Sequence, residues 1–354
     1  MKTEKLFLAS VMVLGLAGAA GAARKPANPV HKAALDPLLV QVKSTYDGTM
    51  QPCYFYAPEE AKTNAVPLLV GLHTWSGDIG QYHHYFGPYQ HAKRHGWAMV
   101  GSGFRGPNWT PQACGGDAAV QDIVDAVEYA KAHAKIDADR IYIVGASGGG
   151  HMALLMAGRH PEMFAAAAAF CPPADLARWY DQLVTRPSLK PNRRYSRHLV
   201  EACGGTPKEK PEEYARRSAT SHLARAREAG VAVYVETGIH DGWTGSVPCG
   251  HSLRCFNILA DEKDRISEED IAYMEENQAI PESLKFAGAN PFYAGKRAML
   301  LRRTSANVVL IVHDGGHGGN WASAYDFLFR QKKGQKADFA VSKDGSGKIE
   351  ELYK

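Results

Sequence analysis

The sequence contains no long hydrophobic run after its first two dozen residues. The run at residues 6–16 follows Lys2 and Lys5 and precedes a series of small residues that ends at Ala23. It is too short to span a bilayer comfortably, although a single membrane anchor is the alternative interpretation. The pattern is typical of a cleaved signal peptide covering residues 1–23. We therefore predict a secreted or periplasmic protein without a stable membrane anchor after cleavage.

Dense blocks of one charge are also lacking. The formal net charge is only +4, and the arginine pairs at 193–194 and 302–303 are isolated. Nucleic-acid-binding proteins usually carry a basic patch or stripe, so we expect no nucleic-acid partner. The sequence has no CxxC and no Cys/His cluster at zinc-ligand spacing, and we expect neither a metal nor a cofactor. Its six cysteines permit disulfides in an exported chain, and Cys249 and Cys255 are close enough for a local bridge.

Short apolar runs alternate with helical patterns along the rest of the chain. The predicted strands are residues 38–44, 50–56, 66–73, 98–102, 140–144, 165–170, 231–237 and 308–312. Apolar residues have helical spacing at 117–133, and helices are also expected at 320–331 and from the turn at 145–149 through residue 159. This alternation predicts an α/β fold with a mostly parallel sheet that is covered by helices on both faces.

One catalytic domain is expected over residues 24–335, followed by a polar tail at 336–354. Two long connections, residues 172–230 and 242–306, interrupt the alternation of strands and helices. Connections of that length in a compact domain usually have a function, so we expect insertions with helices of their own. The stretch before the strand at 98–102 is rich in His, Tyr and Gly and is predicted to be a loop.

Residues 145–149 read Gly-Ala-Ser-Gly-Gly and fit the motif G-x-S-x-G. The motif follows a short apolar strand and opens a helix, as a nucleophile elbow requires. Glycines on either side of the serine leave room for the strand and the helix to approach each other. A glycine-rich helix start without chemistry is the alternative, but the context favours Ser147 as a nucleophile.

A serine hydroxyl is a poor nucleophile without a base, and the base needs an orienting acid. In folds with this elbow the acid and the histidine follow the nucleophile, on loops after later strands. Asp241 and His317 follow the last two predicted strands and are the candidates. Asp314 and His313 are rivals closer to the end of the last strand. His317 is preferred because it lies among glycines, on a loop long enough to reach Ser147.

The oxygen that becomes negative during acyl transfer needs two preorganised N–H donors. The first predicted donor is the backbone of Gly148. The second is expected from the loop after the strand at 66–73, with Trp75 favoured over Thr74. Trp243 and Trp109 are predicted to contact the substrate, where an indole can stack on a sugar or aryl group. Each tryptophan taken alone is more often a packing residue.

Four blocks of the sequence together resemble a known family. They are QDIVDAVEYA with Asp122, DADRIYIVGASGGGHMALLMAGRHPEMFAA, GIHDGWTGSVP and LLRRTSANVVLIVHDGGHGG. Over roughly residues 60–330 the chain is similar to the catalytic domain of the prolyl-oligopeptidase-like group, and more closely to its exported bacterial esterase-like members. The resemblance implies an α/β-hydrolase fold with Ser147, Asp241 and His317 as a triad. Thr74 stands where related esterases often have Gly after the oxyanion-loop histidine.

These observations predict a secreted serine hydrolase that cleaves carboxylic esters through an acyl-enzyme, with a small-molecule or polysaccharide ester as substrate. One alternative is a serine peptidase that acts on short peptides. We expect no β-propeller of the prolyl-oligopeptidase type, because only about 42 residues lie between the predicted signal peptide and Val66, which is too few for its blades. A second alternative is a catalytically silent hydrolase fold that binds carbohydrate or protein.

Overall fold

The computed structural model describes residues 38–82, 87–189, 193–293 and 297–342. The predicted signal peptide lies outside the described residues, as does the last part of the predicted polar tail, residues 343–354. Within the described ranges, no helix combines the length and the apolar character needed to cross a membrane.

A nine-stranded sheet forms the centre of the fold. Its strands are β1 (Leu39–Lys43), β2 (Met50–Tyr56), β3 (Val66–Leu72), β4 (Ala98–Ser102), β5 (Ile136–Ala146), β6 (Ala166–Phe170), β7 (Ala232–Gly238), β8 (Met299–Ser305) and β9 (Val308–His313). Their spatial order is β1-β2-β4-β3-β5-β6-β7-β9-β8. In this spatial order, each neighbouring pair from β4 to β9 is parallel. The pairs β1–β2, β2–β4 and β8–β9 are antiparallel. The predicted α/β-hydrolase fold is confirmed.

Two hydrophobic layers lie on opposite faces of the sheet because successive side chains of a strand point in opposite directions. In β3, Leu68 and Val70 pack into the first layer, and Leu69 packs into the second. The helices over the first layer are Asp117–His133, Gly148–Arg159, Leu223–Glu228 and Gly250–Leu259. The helices over the second layer are Gly87–His95 and Trp321–Arg330. The sheet is therefore covered on both faces.

The two long connections contain further helices. They are Leu176–Thr185, Arg193–Cys203 and Pro211–Arg217 in the first connection and Glu268–Asn277 in the second. In the first connection Trp179, Leu199 and Tyr214 form a third hydrophobic cluster with Trp75, which lies on the loop after β3. The first connection therefore packs directly on the loop that was predicted to supply an oxyanion donor.

Two elements were not predicted, and β5 is longer than its predicted range of 140–144. β8 lies within the connection 242–306 and pairs antiparallel with β9 at the edge of the sheet. Its sequence, MLLRRTS, has a weak strand signal because an edge strand is less buried, which leaves room for Arg302 and Arg303. A helix, Gly87–His95, occupies part of the stretch predicted to be a loop before β4. Gly87 and Pro88 lie in its first turn, where a missing backbone N–H costs little, and His91 and Ala92 are buried.

The cysteines also differ from one expectation. All six are buried free thiols, so the local bridge between Cys249 and Cys255 is not formed. Cys249 directly precedes helix Gly250–Leu259, and Cys255 lies within that helix. Residues six positions apart on a helix are rotated by about 240° around its axis, which directs their side chains away from each other.

Candidate active site

Ser147 occupies a strained turn between β5 and the helix Gly148–Arg159. Its backbone angles are φ 56° and ψ −118°, a conformation that non-glycine residues rarely adopt. The turn is fixed by two backbone hydrogen bonds: Ser147 N–H donates to the Phe170 carbonyl at 2.7 Å, and His151 N–H donates to the Ser147 carbonyl at 2.9 Å. Ser147 is half-buried, so the predicted nucleophile lies on the elbow that the motif indicated.

The glycines of the motif are required by close backbone contacts. A Cβ on Gly145 would lie 2.3 Å from the carbonyl carbon of Gly149. A Cβ on Gly149 would lie 2.6 Å from the Leu72 carbonyl oxygen at the end of β3. No side chain fits at either position, and this close approach is the reason that the turn can be so tight.

Asp241 and His317 meet on the loops after β7 and β9. His317 Nδ1–H donates to Asp241 Oδ2 at 2.7 Å. Asp241 Oδ1 accepts from the backbone N–H of Gly242 at 3.0 Å and of Val247 at 3.1 Å. The Asp241 side chain is inaccessible to solvent, whereas 28% of the His317 side chain is exposed. Because the carboxyl ends of parallel strands meet at one edge of a sheet, these loops lie on the same edge as the Ser147 elbow.

The environment of His317 favours its protonated form. Burial lowers the pKa of His317, but the hydrogen bond and the negative charge of Asp241 outweigh burial and leave this pKa raised above 6.5. An imidazole held in this way has a fixed tautomer, with Nε2 free to accept a proton.

The rival residues lie elsewhere. His313 is buried, and its Nδ1 lies 2.9 Å from Glu236 Oε1. Asp314 is exposed and pairs with His240, with 3.0 Å between Asp314 Oδ1 and His240 Nε2. Each rival is therefore engaged with a partner other than the Asp241–His317 pair.

The two predicted oxyanion donors are adjacent. A Cβ on Gly148 would lie 2.5 Å from the backbone nitrogen of Trp75, so the two backbones are in direct contact. Asn108 N–H donates to the Trp75 carbonyl at 2.9 Å and fixes the loop. Thr74 N–H already donates to Gln81 Oε1 at 2.6 Å. This arrangement favours Trp75 over Thr74 as the second donor.

The two tryptophans predicted to contact substrate have different surroundings. Trp109 is half-buried and follows Asn108 directly; its ring lies 4.7 Å from that of His198, and the Arg194 guanidinium lies 5.8 Å from its centroid. Trp243 is exposed and donates from Nε1 to the Glu275 carbonyl at 2.9 Å. Trp109 is thus connected to the oxyanion loop, whereas Trp243 is tied to helix Glu268–Asn277.

Three residues that the sequence analysis did not single out support the site. Asn108 bonds both Trp75 and the backbone N–H of Cys114. The Phe170 carbonyl accepts a hydrogen bond from Ser147 N–H, and Cys171 Sγ accepts one from Gly318 N–H at 3.2 Å. The only sequence signal for Phe170 and Cys171 was their position at the end of a predicted strand.

One group in the described part of the chain could offer three ligand atoms to a metal ion. It consists of Cys171, Asp241 and His317, with ligand atoms within 4.8 Å of one another. Burial, together with the charge of Asp241, raises the pKa of the Cys171 thiol well above its ordinary value, so this thiol is protonated near neutral pH. Both oxygens of Asp241 already accept hydrogen bonds. The geometry therefore suits a carboxylate–imidazole pair better than a metal centre.

Comparison with known proteins is consistent with this geometry. Residues 98–278 match the model of the prolyl oligopeptidase family. A curated relative, feruloyl esterase B of Neurospora crassa, is 29% identical over 126 residues, which cover 33% of this chain and 42% of that protein.

Solved structures share the fold. The uncomplexed acylaminoacyl peptidase of Pyrococcus horikoshii matches with a TM-score of 0.50 and 19% identity, over 63% of this chain and 34% of that one. A puromycin-hydrolyzing peptidase of Mycobacterium tuberculosis matches with a TM-score of 0.52 and 15% identity, over 86% of this chain and 39% of that one. The chain thus spans about two fifths or less of the length of these proteins.

Proposed function

Because this chain belongs to the prolyl oligopeptidase family of serine hydrolases, we propose that it cleaves carboxylic esters through an acyl-enzyme formed on Ser147. His317 takes the proton of Ser147 and later activates water, and Asp241 holds the imidazole and stabilises its protonated form. The observation that carries the proposal is the 2.7 Å contact between His317 Nδ1 and Asp241 Oδ2, on the sheet edge where the Ser147 elbow lies.

The backbone N–H groups of Gly148 and Trp75 bind the oxyanion in this proposal. Their adjacent backbones place two donors beside the nucleophile. Ser147 also precedes the first turn of a helix, where the helix dipole stabilises negative charge. Such donors are fixed before the reaction, so no reorganisation is needed when the charge develops.

An ester of a small molecule or a polysaccharide is the proposed substrate. Trp109 offers an aromatic face close to the oxyanion loop, and the similarity to a feruloyl esterase supports an aryl or sugar-linked ester. The exposed fraction of His317 supports an open site that tolerates a bulky alcohol. Export through the predicted signal peptide at residues 1–23 belongs to the same proposal, and N-terminal sequencing of the mature protein would test it.

A second candidate function is a serine peptidase, which the family as a whole favours. Both reactions use an acyl-enzyme, but an amine leaves only if the base protonates it, which requires tight placement of the peptide on both sides of the bond. An open site meets that requirement poorly, and ester cleavage is therefore the first candidate.

The discriminating experiment measures kcat/KM on an ester and an anilide with the same acyl group, including acetyl, butyryl and feruloyl esters. A wide preference for the ester is expected. Equal or better hydrolysis of the anilide would support the peptidase instead. Fluorophosphonate labelling of Ser147 serves as a separate test of the nucleophile, and failure to label would favour the alternative of a catalytically silent binding protein.

A further inference from the structure

Both ends of the loop that carries His317 meet one buried carboxylate. Glu236 lies on β7 and is inaccessible to solvent. Both of its carboxylate oxygens lie 3.0 Å from the backbone nitrogen of Asn320, which follows the loop 314–319. Its Oε1 also lies 2.9 Å from Nδ1 of His313, which precedes the loop, but the geometry of this contact is not that of a hydrogen bond. The residue before the loop and the residue after it therefore both contact the Glu236 side chain.

The same carboxylate is anchored from the sheet and from the last helix. Tyr234 OH donates to Glu236 Oε2 at 2.7 Å from the same strand. The side chain of Asn320 caps helix Trp321–Arg330, accepting from Ser323 N–H at 3.2 Å. Hydrogen bonds to a buried carboxylate are strong, and a buried carboxylate is stable only when such donors surround it. Glu236 thus connects β7, the end of β9 and the start of the last helix.

The loop itself has little rigidity of its own. His317 is flanked by Gly315 and Gly316 on one side and by Gly318 and Gly319 on the other. Glycine has access to more backbone conformations than any other residue, so such a loop needs external anchors to hold one geometry. Backbone bonds from the Asp241 loop hold its first half, since His240 N–H donates to the Gly315 carbonyl at 2.9 Å.

On the basis of these contacts, and resting on the proposed role of His317, we propose that Glu236 is a positioning residue that holds His317 against Asp241. It fixes the end of the 314–319 loop through hydrogen bonds to Asn320 and packs against His313 at the start of the loop. Glu236 lies below the loop within the core and acts through the loop, without contact to the substrate. Loss of this anchor displaces the base from the nucleophile, which slows the chemical step and leaves substrate binding unchanged.

The test compares Glu236→Gln with Tyr234→Phe in the full chain. Glu236→Gln keeps the size of the side chain but replaces one acceptor oxygen by an amide donor. Tyr234→Phe removes a hydrogen bond to the same carboxylate from the side that does not contact the loop. We expect Glu236→Gln to lower kcat by about 10- to 100-fold with KM nearly unchanged. Tyr234→Phe is expected to lower the thermal midpoint and to leave kcat within about twofold.

Proton NMR gives a readout that does not depend on turnover. The proton between His317 Nδ1 and Asp241 resonates far downfield when the contact is short. This signal should persist in Tyr234→Phe and weaken or shift in Glu236→Gln. If Glu236→Gln does not fold, His313→Gln loosens one end of the loop, and a smaller change in the same signal is expected.

Two outcomes would overturn the proposal: a folded Glu236→Gln with unchanged kcat and unchanged signal, or equal losses of kcat in Glu236→Gln and Tyr234→Phe. The first would show that the loop does not need this anchor, and the second would reduce its role to general stability. Failure of the wild type to cleave esters or to be labelled would instead contradict the proposed function. The NMR signal would still decide whether Glu236 positions His317.

Discussion

Gly148 and Trp75 are in backbone contact, with no space for a side chain between them. A Cβ on Gly148 would lie 2.5 Å from both the nitrogen and the Cα of Trp75. Gly148 is the first residue of the helix after the elbow, and Trp75 lies on the loop after β3. The contact therefore joins the predicted nucleophile turn to the predicted oxyanion loop.

Gly148→Ala should lower kcat/KM for esters by about 100-fold or more, because the new methyl group displaces the Trp75 N–H from the oxyanion. The matched control is Gly87→Ala. Gly87 is also the first residue of a helix, and among the residues that the structure describes a Cβ there would meet Tyr325 Oη at an ordinary 3.5 Å. The control should keep wild-type kinetics, and an active Gly148→Ala would contradict the placement of the oxyanion hole.

Ser147→Ala should abolish ester turnover and fluorophosphonate labelling. The hydroxyl is the only group removed, and it lies on a turn whose hydrogen bonds all come from the backbone. The thermal midpoint should therefore change little. Turnover close to that of the wild type would exclude Ser147 as the nucleophile.

His317→Ala should be almost as damaging as Ser147→Ala, on the order of 10⁶-fold in kcat, because the members of a triad act as a unit. Asp241→Asn should be milder by about 10-fold or more. His313→Ala should cost far less than His317→Ala, since His313 faces Glu236 and not the nucleophile. Steady-state kinetics on one soluble ester measures kcat of all three variants. If His313→Ala loses as much activity as is expected of His317→Ala, His313 is the base instead.

The pH dependence of kcat/KM should show an acidic limb above the ordinary histidine pKa of 6.5, because only neutral His317 acts as a base and its pKa is raised. Asp241→Asn removes the charge that raises this pKa and leaves the burial that lowers it, so the limb should move to lower pH. Asp314→Asn is the control and should leave the limb in place, because the exposed Asp314 carboxylate pairs with half-buried His240.

The same raised pKa has the opposite effect on stability. A histidine whose pKa is higher in the folded than in the unfolded state stabilises the fold fully below the unfolded value. For His317 this contribution is lost as the pH rises through its folded pKa, which lies above 6.5. Activity and this part of the stability therefore change in opposite directions over the same pH range.

Arg105→Met should cost about 3–5 kcal/mol of unfolding free energy, because it leaves Asp122 buried without its cation. Arg105 Nε lies 2.6 Å from Asp122 Oδ2, and neither side chain is more than 5% exposed. Arg159→Met is the control, since the Arg159–Asp117 pair is partly exposed and should contribute less than about 1 kcal/mol. Urea denaturation of both variants measures the difference.

The sequence predicted the centre of the fold well, because local patterns determine it. β2, β4 and the helix Asp117–His133 begin and end where their apolar spacing indicated. The elbow was also predictable, since its glycines and serine are consecutive in the chain. Asp241 and His317 were predicted from their order along the chain and from the glycines around His317, and parallel strands bring their loops to one edge.

What the sequence could not predict depends on distant partners. Glu236 is an acidic residue inside a buried strand, and its partner Asn320 lies 84 positions further along the chain. Asn108 likewise becomes significant only when the loop after β3 reaches it. β8 carries two arginines and has a strand neighbour on one side only. No local pattern contains such information.

The third hydrophobic cluster holds helix Leu176–Thr185 against the oxyanion loop. Trp179 packs edge-on against Trp75 with ring centroids 4.8 Å apart, and its Nε1 donates to the Ser246 carbonyl at 2.8 Å. Helix Leu176–Thr185 is therefore held both by the oxyanion loop and by the loop after Asp241. We expect this helix to keep its position when substrate binds.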